Sequence, residues 1–380
     1  MKFWFGLLIL ASLLACSSGG NDDTAVTGSG TEAFTYSQPL SGNGWDSAHL
    51  NDVGMNTDLI EAMINDEELA NIHGIVLVRN NRLVFETYRA GRNADGQQRN
   101  YDKDLDHDIQ SCTKSITSLL VGVAIQEGHI GGADDMLVDY LPQYSSLFRD
   151  GKENISLSHA MTMTAGIDWD EWRYPYNDSR NPHTRMNQSN DAVAFVLGRD
   201  MIADPGLVFS YNSGLTITMG AVVTGATGQP ALNFAQQHLL APMGISDYFW
   251  YAYPNGHLHT GGGLYLIPRD MAKFGQLILD DGVWKGQQLV DPEWLAQSTG
   301  PHVILPDAWL DNSYGYFWWR KNLPEFNDVA IHASGWGGQY IIALPAHDLV
   351  VIFTGGNYTN QALTEVPFRL LTQYILPAIQ

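Results

Sequence analysis

The sequence predicts an α+β fold, an antiparallel sheet built from both ends of the chain and flanked by helices, with a helical domain inserted between the two sheet segments. Three observations predict it. A strand–turn–strand pattern occupies 72–88, further strand patterns lie between 314 and 354, and the residues between read mainly as helices punctuated by Pro and Gly. Residues 45–110 and 236–380 are thus expected to form a discontinuous sheet domain, and 111–235 a mainly helical one. The 380 residues are 44% hydrophobic, enough apolar material for a large core. The net charge of −21 disfavours a nucleic-acid partner, because such a surface repels phosphate.

The first element is an export signal. Lys2 precedes an apolar run from Phe3 to Leu14 that is shorter than the ~20 residues a bilayer-spanning helix needs. It ends Leu13-Leu14-Ala15-Cys16, which resembles a bacterial lipobox, followed by Ser and Gly. Residues 1–15 are read as a signal peptide, Cys16 as the lipidated new N-terminus, and 16–44 as a flexible polar tether. The protein is expected to be exported and held by this anchor at a membrane, facing the periplasm or the cell exterior. An ordinary secretory signal with an incidental Cys16 is the alternative. The other cysteine is Cys112, so a lipidated Cys16 leaves no disulfide within the chain.

Folded structure is expected from about Trp45 or Asp58. Leu59, Ile60, Met63 and Ile64 have helical spacing within 57–69. In 72–88, Asn80-Asn81 can supply the positive φ angles of a tight hairpin turn. Ser111 opens an apolar helix with Gly128 just past its end. Strands are expected at 314–319, 329–333, 339–344 and 349–354, the last two joined by Pro345-Ala346-His347-Asp348. A closing helix is expected over 361–375.

The chemistry centres on Ser111-Cys112-Thr113-Lys114. Residues at i and i+3 of a helix are neighbours, so Ser111 and Lys114 touch. A serine hydroxyl needs a base, and lysine serves only when neutral. From ~10.4, working near neutrality requires a fall of about 3 units, or ~4 kcal/mol, which burial can supply. The helix N-terminus also favours an oxyanion beside Ser111. By itself the spacing also fits a polar helix start with Ser111 as a cap. Two downstream segments accompany it. Tyr211, within Phe209-Ser210-Tyr211-Asn212-Ser213-Gly214, can share the proton, and the glycines of Ala333-Ser334-Gly335-Trp336-Gly337-Gly338 allow close backbone approach to a ligand.

The order of these motifs resembles the serine β-lactamase and penicillin-binding superfamily, in its class C-like branch, from about residue 72 onward. Met163-Thr164-Ala165-Gly166-Ile167-Asp168-Trp169, Gly262-Gly263-Leu264 and Pro268-Arg269-Asp270-Met271-Ala272 share in the resemblance. The look is closest to esterases and to linear amidases of the 6-aminohexanoate-dimer hydrolase type. The resemblance implies a β-lactamase-like fold with the site in the crevice between sheet and helical domain. It implies Ser111 as nucleophile and acyl carrier, Lys114 and Tyr211 as base and proton return, the Ser111 and Trp336 amides as oxyanion hole, and no metal or organic cofactor. Two departures matter. The asparagine that the lactamase pattern has two places after the tyrosine is replaced by Ser213, with Asn212 one place early. Ala333 stands where the third motif begins with Lys or His, and His332 is one residue early, on the opposite face of a strand. Both departures favour an ester or linear amide as the small-molecule substrate over a β-lactam.

Asn212, Tyr174, Tyr176, Asp178, Ser334 and Gly335 are further candidates for substrate contact, with Trp172 on the same polar–aromatic loop. His257 and His259 alternate like metal ligands but lack an accompanying carboxylate or cysteine cluster, so no metal is assigned. Cys112 is expected to be buried and inert, and Asp102, Asp104, Asp106 and Asp108 to form a solvated loop. A β-lactamase or D-Ala-D-Ala carboxypeptidase is the second enzyme reading, which stable acylation by penicillin would support. A non-catalytic envelope-binding protein of this fold would react with no fluorophosphonate probe.

Overall fold

The computed structural model describes residues 35–380 except 67, 68, 70, 307, 308, 310, 360–362 and 364. The signal peptide, Cys16 and the tether up to residue 34 lie outside the described residues. The end of the expected tether needs correction. Tyr36 gives its amide to Glu61 (2.7 Å) and its hydroxyl to the Val84 carbonyl (3.0 Å). Arg269 binds the Leu40 carbonyl, and Asn43 donates to Asp270. Polar residues here find fixed partners on the folded body, which composition alone did not reveal.

The hairpin forms as expected. Strand β1 (Ile72–Arg79) turns through Asn80 and Asn81, at φ 52° and 58°, into β2 (Arg82–Tyr88). The left-handed conformation is cheap for asparagine, and paired positive φ angles match the twist of the flanking strands. The remaining strands of the main sheet are β3 (Val303–Ile304), β4 (Ser313–Tyr314), β5 (Trp319–Leu323), β6 (Asp328–Gly335), β7 (Gln339–Leu344) and β8 (Leu349–Gly355). Their order is β3-β4-β5-β6-β7-β8-β1-β2, antiparallel throughout, so the last strand joins the first hairpin, with Val76 opposite Ile352. The strand expected over 314–319 is broken in two. Phe317 lies at φ 64° and its carbonyl accepts the Ser115 hydroxyl, which turns the chain away from the ladder.

The helices used below are α1 (Thr57–Ile64), α2 (Cys112–Gln126), α3 (Ser213–Thr227) and α4 (Pro268–Leu279). Helices α2 and α4 pack on one sheet face, where Gly275 of α4 meets Val350 and Ile341. The closing helix, Val366–Leu370 running on to Ile375, covers the other face, where Phe368 packs on His332 and Tyr340, and α1 packs against it. One cluster of buried residues runs from the sheet (Val76, Ile341) through α2 (Leu119, Leu120) to the helical segment (Leu157, Val196, Leu215). Among the described residues no helix is long and apolar enough to cross a membrane.

Gly122 shows how closely α2 is held. A β-carbon there would overlap the Trp294 indole, whose N–H donates to the Ser118 carbonyl at 3.0 Å. Alanine normally favours a helix over glycine, but overpacking reverses the sign here. Gly122→Ala is expected to lower stability by about 1–3 kcal/mol, read from the urea midpoint.

Candidate active site

A two-residue strand, His107–Asp108, leads into Gln110, which holds φ 51° immediately before Ser111. A β-carbon-bearing residue in this region stores strain and persists only where its surroundings over-determine it. Asp108 does so, accepting the Gln110 amide (2.9 Å) and side-chain amide (2.6 Å). Burial lifts the Asp108 carboxyl to about 7. Asp108 is therefore not part of a solvated acidic loop as expected. It braces the turn that presents Ser111.

Ser111 stands at the head of α2 with its side chain free of any cap bond. One turn on, the Lys114 Nζ donates to Ser111 Oγ (2.8 Å) and to the Gly261 carbonyl (2.6 Å). Lys114 is buried, and burial pushes its pKa down to about 8, opposed by the nearby charge of Glu171. The Tyr211 phenol lies close to the Ser111 hydroxyl, and burial pushes its pKa upward, so it stays neutral. Its ring is held between Trp172 (5.0 Å, 18°) and Trp319 (5.7 Å, 24°), and Lys114 Nζ lies 5.0 Å from its centroid. The three residues singled out by spacing converge on one hydroxyl.

Gly335 explains how the third segment reaches them. A β-carbon there would overlap the Ile109 carbonyl and crowd Gln110. Glycine thus lets the end of β6 lie against the turn before Ser111 and brings the Trp336 backbone alongside. The Cys112 and Thr113 amides are given to Ile109 and Gln110, whereas among the described residues the Ser111 and Trp336 amides are given to no protein carbonyl. A hydroxyl beside a lysine of lowered pKa, a neutral phenol and two free amides are the parts that acyl transfer needs.

The other candidates divide. Tyr176 joins the site, packing on Trp336 and His183 and donating to Glu171 (3.0 Å). Asn212 does not present its carboxamide oxygen to a substrate, because that atom caps α3 through the Gly214 and Leu215 amides. Asp178 is spent on Arg180, which holds its carboxyl down at about 2, and the Tyr174 ring lies against the same guanidinium. Ser334 points to the far face, paired across the strands with Tyr340, and His332 is buried there on Asp311 (2.9 Å). The period of two in β6 separates both side chains from Ser111. His257 bonds Tyr144, while His259 stacks on Tyr253, so the two do not converge. Among the described residues no group of three His, Cys, Asp or Glu is placed to hold a metal ion. Cys112 is buried, its thiol facing the Gln339 carbonyl (3.4 Å) and its pKa pushed up by burial.

Nothing in the local pattern of residues singles out Glu171. It is buried and accepts the Ser213 amide and hydroxyl, the Trp169 indole and the Tyr176 phenol. An acidic residue in a polar loop looks like any other until the fold closes over it.

Comparison with known proteins places the fold. The family model described as Beta-lactamase matches residues 66–378. A 6-aminohexanoate-dimer hydrolase from Paenarthrobacter ureafaciens is 24% identical over 298 residues, covering 73% of this chain and 70% of that protein. A family VIII carboxylesterase superposes with a TM-score of 0.66 at 17% identity, over 87% of this chain and 98% of its own. An octameric penicillin-binding protein homologue from Pyrococcus abyssi gives 0.63 at 17% identity, over 85% and 78%. These likenesses bear out the expected fold, an antiparallel sheet with flanking helices.

Proposed function

The chain belongs to the beta-lactamase family, and from that premise we propose that it is an exported serine hydrolase cleaving carboxylic esters or linear amides through an acyl-enzyme on Ser111. The observation that carries this is a fully buried lysine with its amine on the serine hydroxyl oxygen, at 2.8 Å. Neutral Lys114 takes the Ser111 proton as Oγ attacks the carbonyl carbon. The carbonyl oxygen gains charge and is met by the Ser111 and Trp336 amides. Collapse expels the alcohol or amine, which takes its proton from the Lys114–Tyr211 couple. Water then attacks the acyl carbon and gives a proton to the couple, and as the acid leaves the couple returns that proton to Ser111 Oγ. Atoms and protons balance with no further reagent.

The choice of ester or linear amide rests on two points. Ala333 brings no cation to the third segment, and His332 is committed to Asp311 on the other face. A relative that acts on the 6-aminohexanoate dimer supports the linear-amide alternative. Export and attachment through Cys16 remain part of the proposal and rest on the pattern of residues 1–20.

The test is a parallel assay of the full chain with p-nitrophenyl butyrate, a linear 6-aminohexanoate amide and nitrocefin. Ester or amide turnover with little nitrocefin cleavage is expected. Dominant nitrocefin cleavage would make it a β-lactamase, and failure to label with a fluorophosphonate probe would make it a binding protein.

A further inference from the structure

A buried carboxylate that the reaction above does not use lies behind the proton couple. Glu171 Oε2 accepts the Ser213 amide (2.7 Å) and the Trp169 indole (2.7 Å), and Oε1 accepts the Ser213 hydroxyl (2.8 Å) and the Tyr176 phenol (3.0 Å). Four donors on two oxygens build a place for the anion, since a protonated acid would turn a donor toward donors. Ser213 sits two residues after Tyr211, where the lactamase pattern has its asparagine. Here a serine and a distant carboxylate occupy that place together.

We infer that Glu171 is a positioning residue of the hydrolase proposed above, fixing the Tyr211 backbone through Ser213 and supplying the buried negative charge against which Lys114 takes up its proton. Geometry supports both halves. Two of the four hydrogen bonds fasten the residue that begins α3, two positions from the phenol. The other two fasten Trp169 and Tyr176, so that the loop 169–176 closes over the couple and puts Trp172 on the Tyr211 ring. When Lys114 becomes an ammonium, a fixed anion nearby stabilises that state, the more so because both side chains are buried.

The surroundings leave Glu171 as the counter-charge. The groups facing Lys114 are Ser111 and Cys112 of its own helix segment, Tyr211 before α3, His183 from Pro182–Asn187, His259 from the loop before Gly261, and Glu171. Burial keeps both imidazoles neutral and raises the Cys112 and Tyr211 pKa values. Asp108 acts on Cys112, and its oxygens are taken by Gln110. The charge of Glu171 acts on Lys114, Tyr211, Tyr176 and Tyr314 alike.

This inference rests on Ser111 being activated by Lys114, so the experiment reads that activation directly. The rate at which a fluorophosphonate probe phosphonylates the full chain is followed from pH 5.5 to 10. Labelling of the wild type that persists in Ser111→Ala would overturn the reading of the site itself. With labelling confined to Ser111, Glu171→Gln is expected to move the acid limb of the profile to lower pH by about one pH unit, because loss of an adjacent anion lowers the lysine pKa. Its plateau is expected to fall about 10-fold through the loosened Tyr211. Ser213→Ala keeps the anion, so its plateau falls while its limb stays in place. An unmoved limb in Glu171→Gln, with only thermal stability reduced, would show a merely structural residue and overturn the inference. Should that variant not fold, Glu171→Asp decides in its place. Withdrawal of the charge by one methylene moves the limb the same way by less, and an unmoved limb overturns the inference.

Discussion

Ser111→Ala is expected to reduce kcat for p-nitrophenyl butyrate by at least ~10³, the loss that follows removal of a covalent nucleophile. Nothing nearby can replace it. Lys114 Nζ is directed at Ser111 Oγ and at the Gly261 carbonyl. The Cys112 thiol, one position on, is buried against β7 through the Gln339 carbonyl, where burial disfavours the thiolate. The variant is expected to remain folded. Ser111 makes no side-chain cap bond, so alanine costs no helix cap, only one acceptor of the buried amine, worth about 1 kcal/mol. The measurement pairs kcat with the melting temperature. A folded Ser111→Ala protein retaining a tenth of wild-type turnover would mean that the bond is not broken through this hydroxyl.

The parts of this site visible in the sequence are those fixed over short separations. Ser111 and Lys114 are three residues apart on one helix, so the period of the helix brings them together whatever surrounds it. Asn80-Asn81 encodes its turn within two residues. The placing of Ser334 and His332 on the far face of β6 follows from alternation along a strand. Gly335 was legible as a glycine that permits close approach, although what it approaches, the Ile109 carbonyl, lies in another part of the chain.

The illegible parts depend on contacts across long separations. Glu171 acquires its role from Ser213, 42 residues on. Asp108 shares its local pattern with Asp102, Asp104 and Asp106, and only burial distinguishes it. Residues 36–43 read as a tether because their partners, Glu61, Val84, Arg269 and Asp270, are invisible to composition. Asn212 was drawn toward the substrate by its nearness to Tyr211, yet an asparagine immediately before a helix is first a cap, and the Gly214 and Leu215 amides claim it.

Lys114 should show opposite effects on activity and stability. Lys114→Met is expected to lower kcat about as severely as Ser111→Ala, by ~10³, since methionine fills the volume but accepts no proton. In the wild type the rate should climb as pH rises through about 8, the value to which burial brings this lysine. At pH 7 roughly a tenth of the molecules then hold it neutral, against well under a thousandth at the ordinary value of ~10.4. The same depression makes the lysine a burden on the fold. Its unfolded pKa lies above its folded one, so between about 8 and 10 the unfolded chain binds more protons and stability rises with pH. Below 8 the folded protein carries a buried ammonium at a full cost of about 3 kcal/mol, offset by its two hydrogen bonds at about 1 kcal/mol each. Lys114→Met should therefore be more stable than wild type at pH 7 by about 1 kcal/mol, and this advantage should disappear by pH 10. Urea midpoints at the two pH values measure it. A stability difference that is the same at both would show that Lys114 is not held near neutrality, and Tyr211 would then have to be the base.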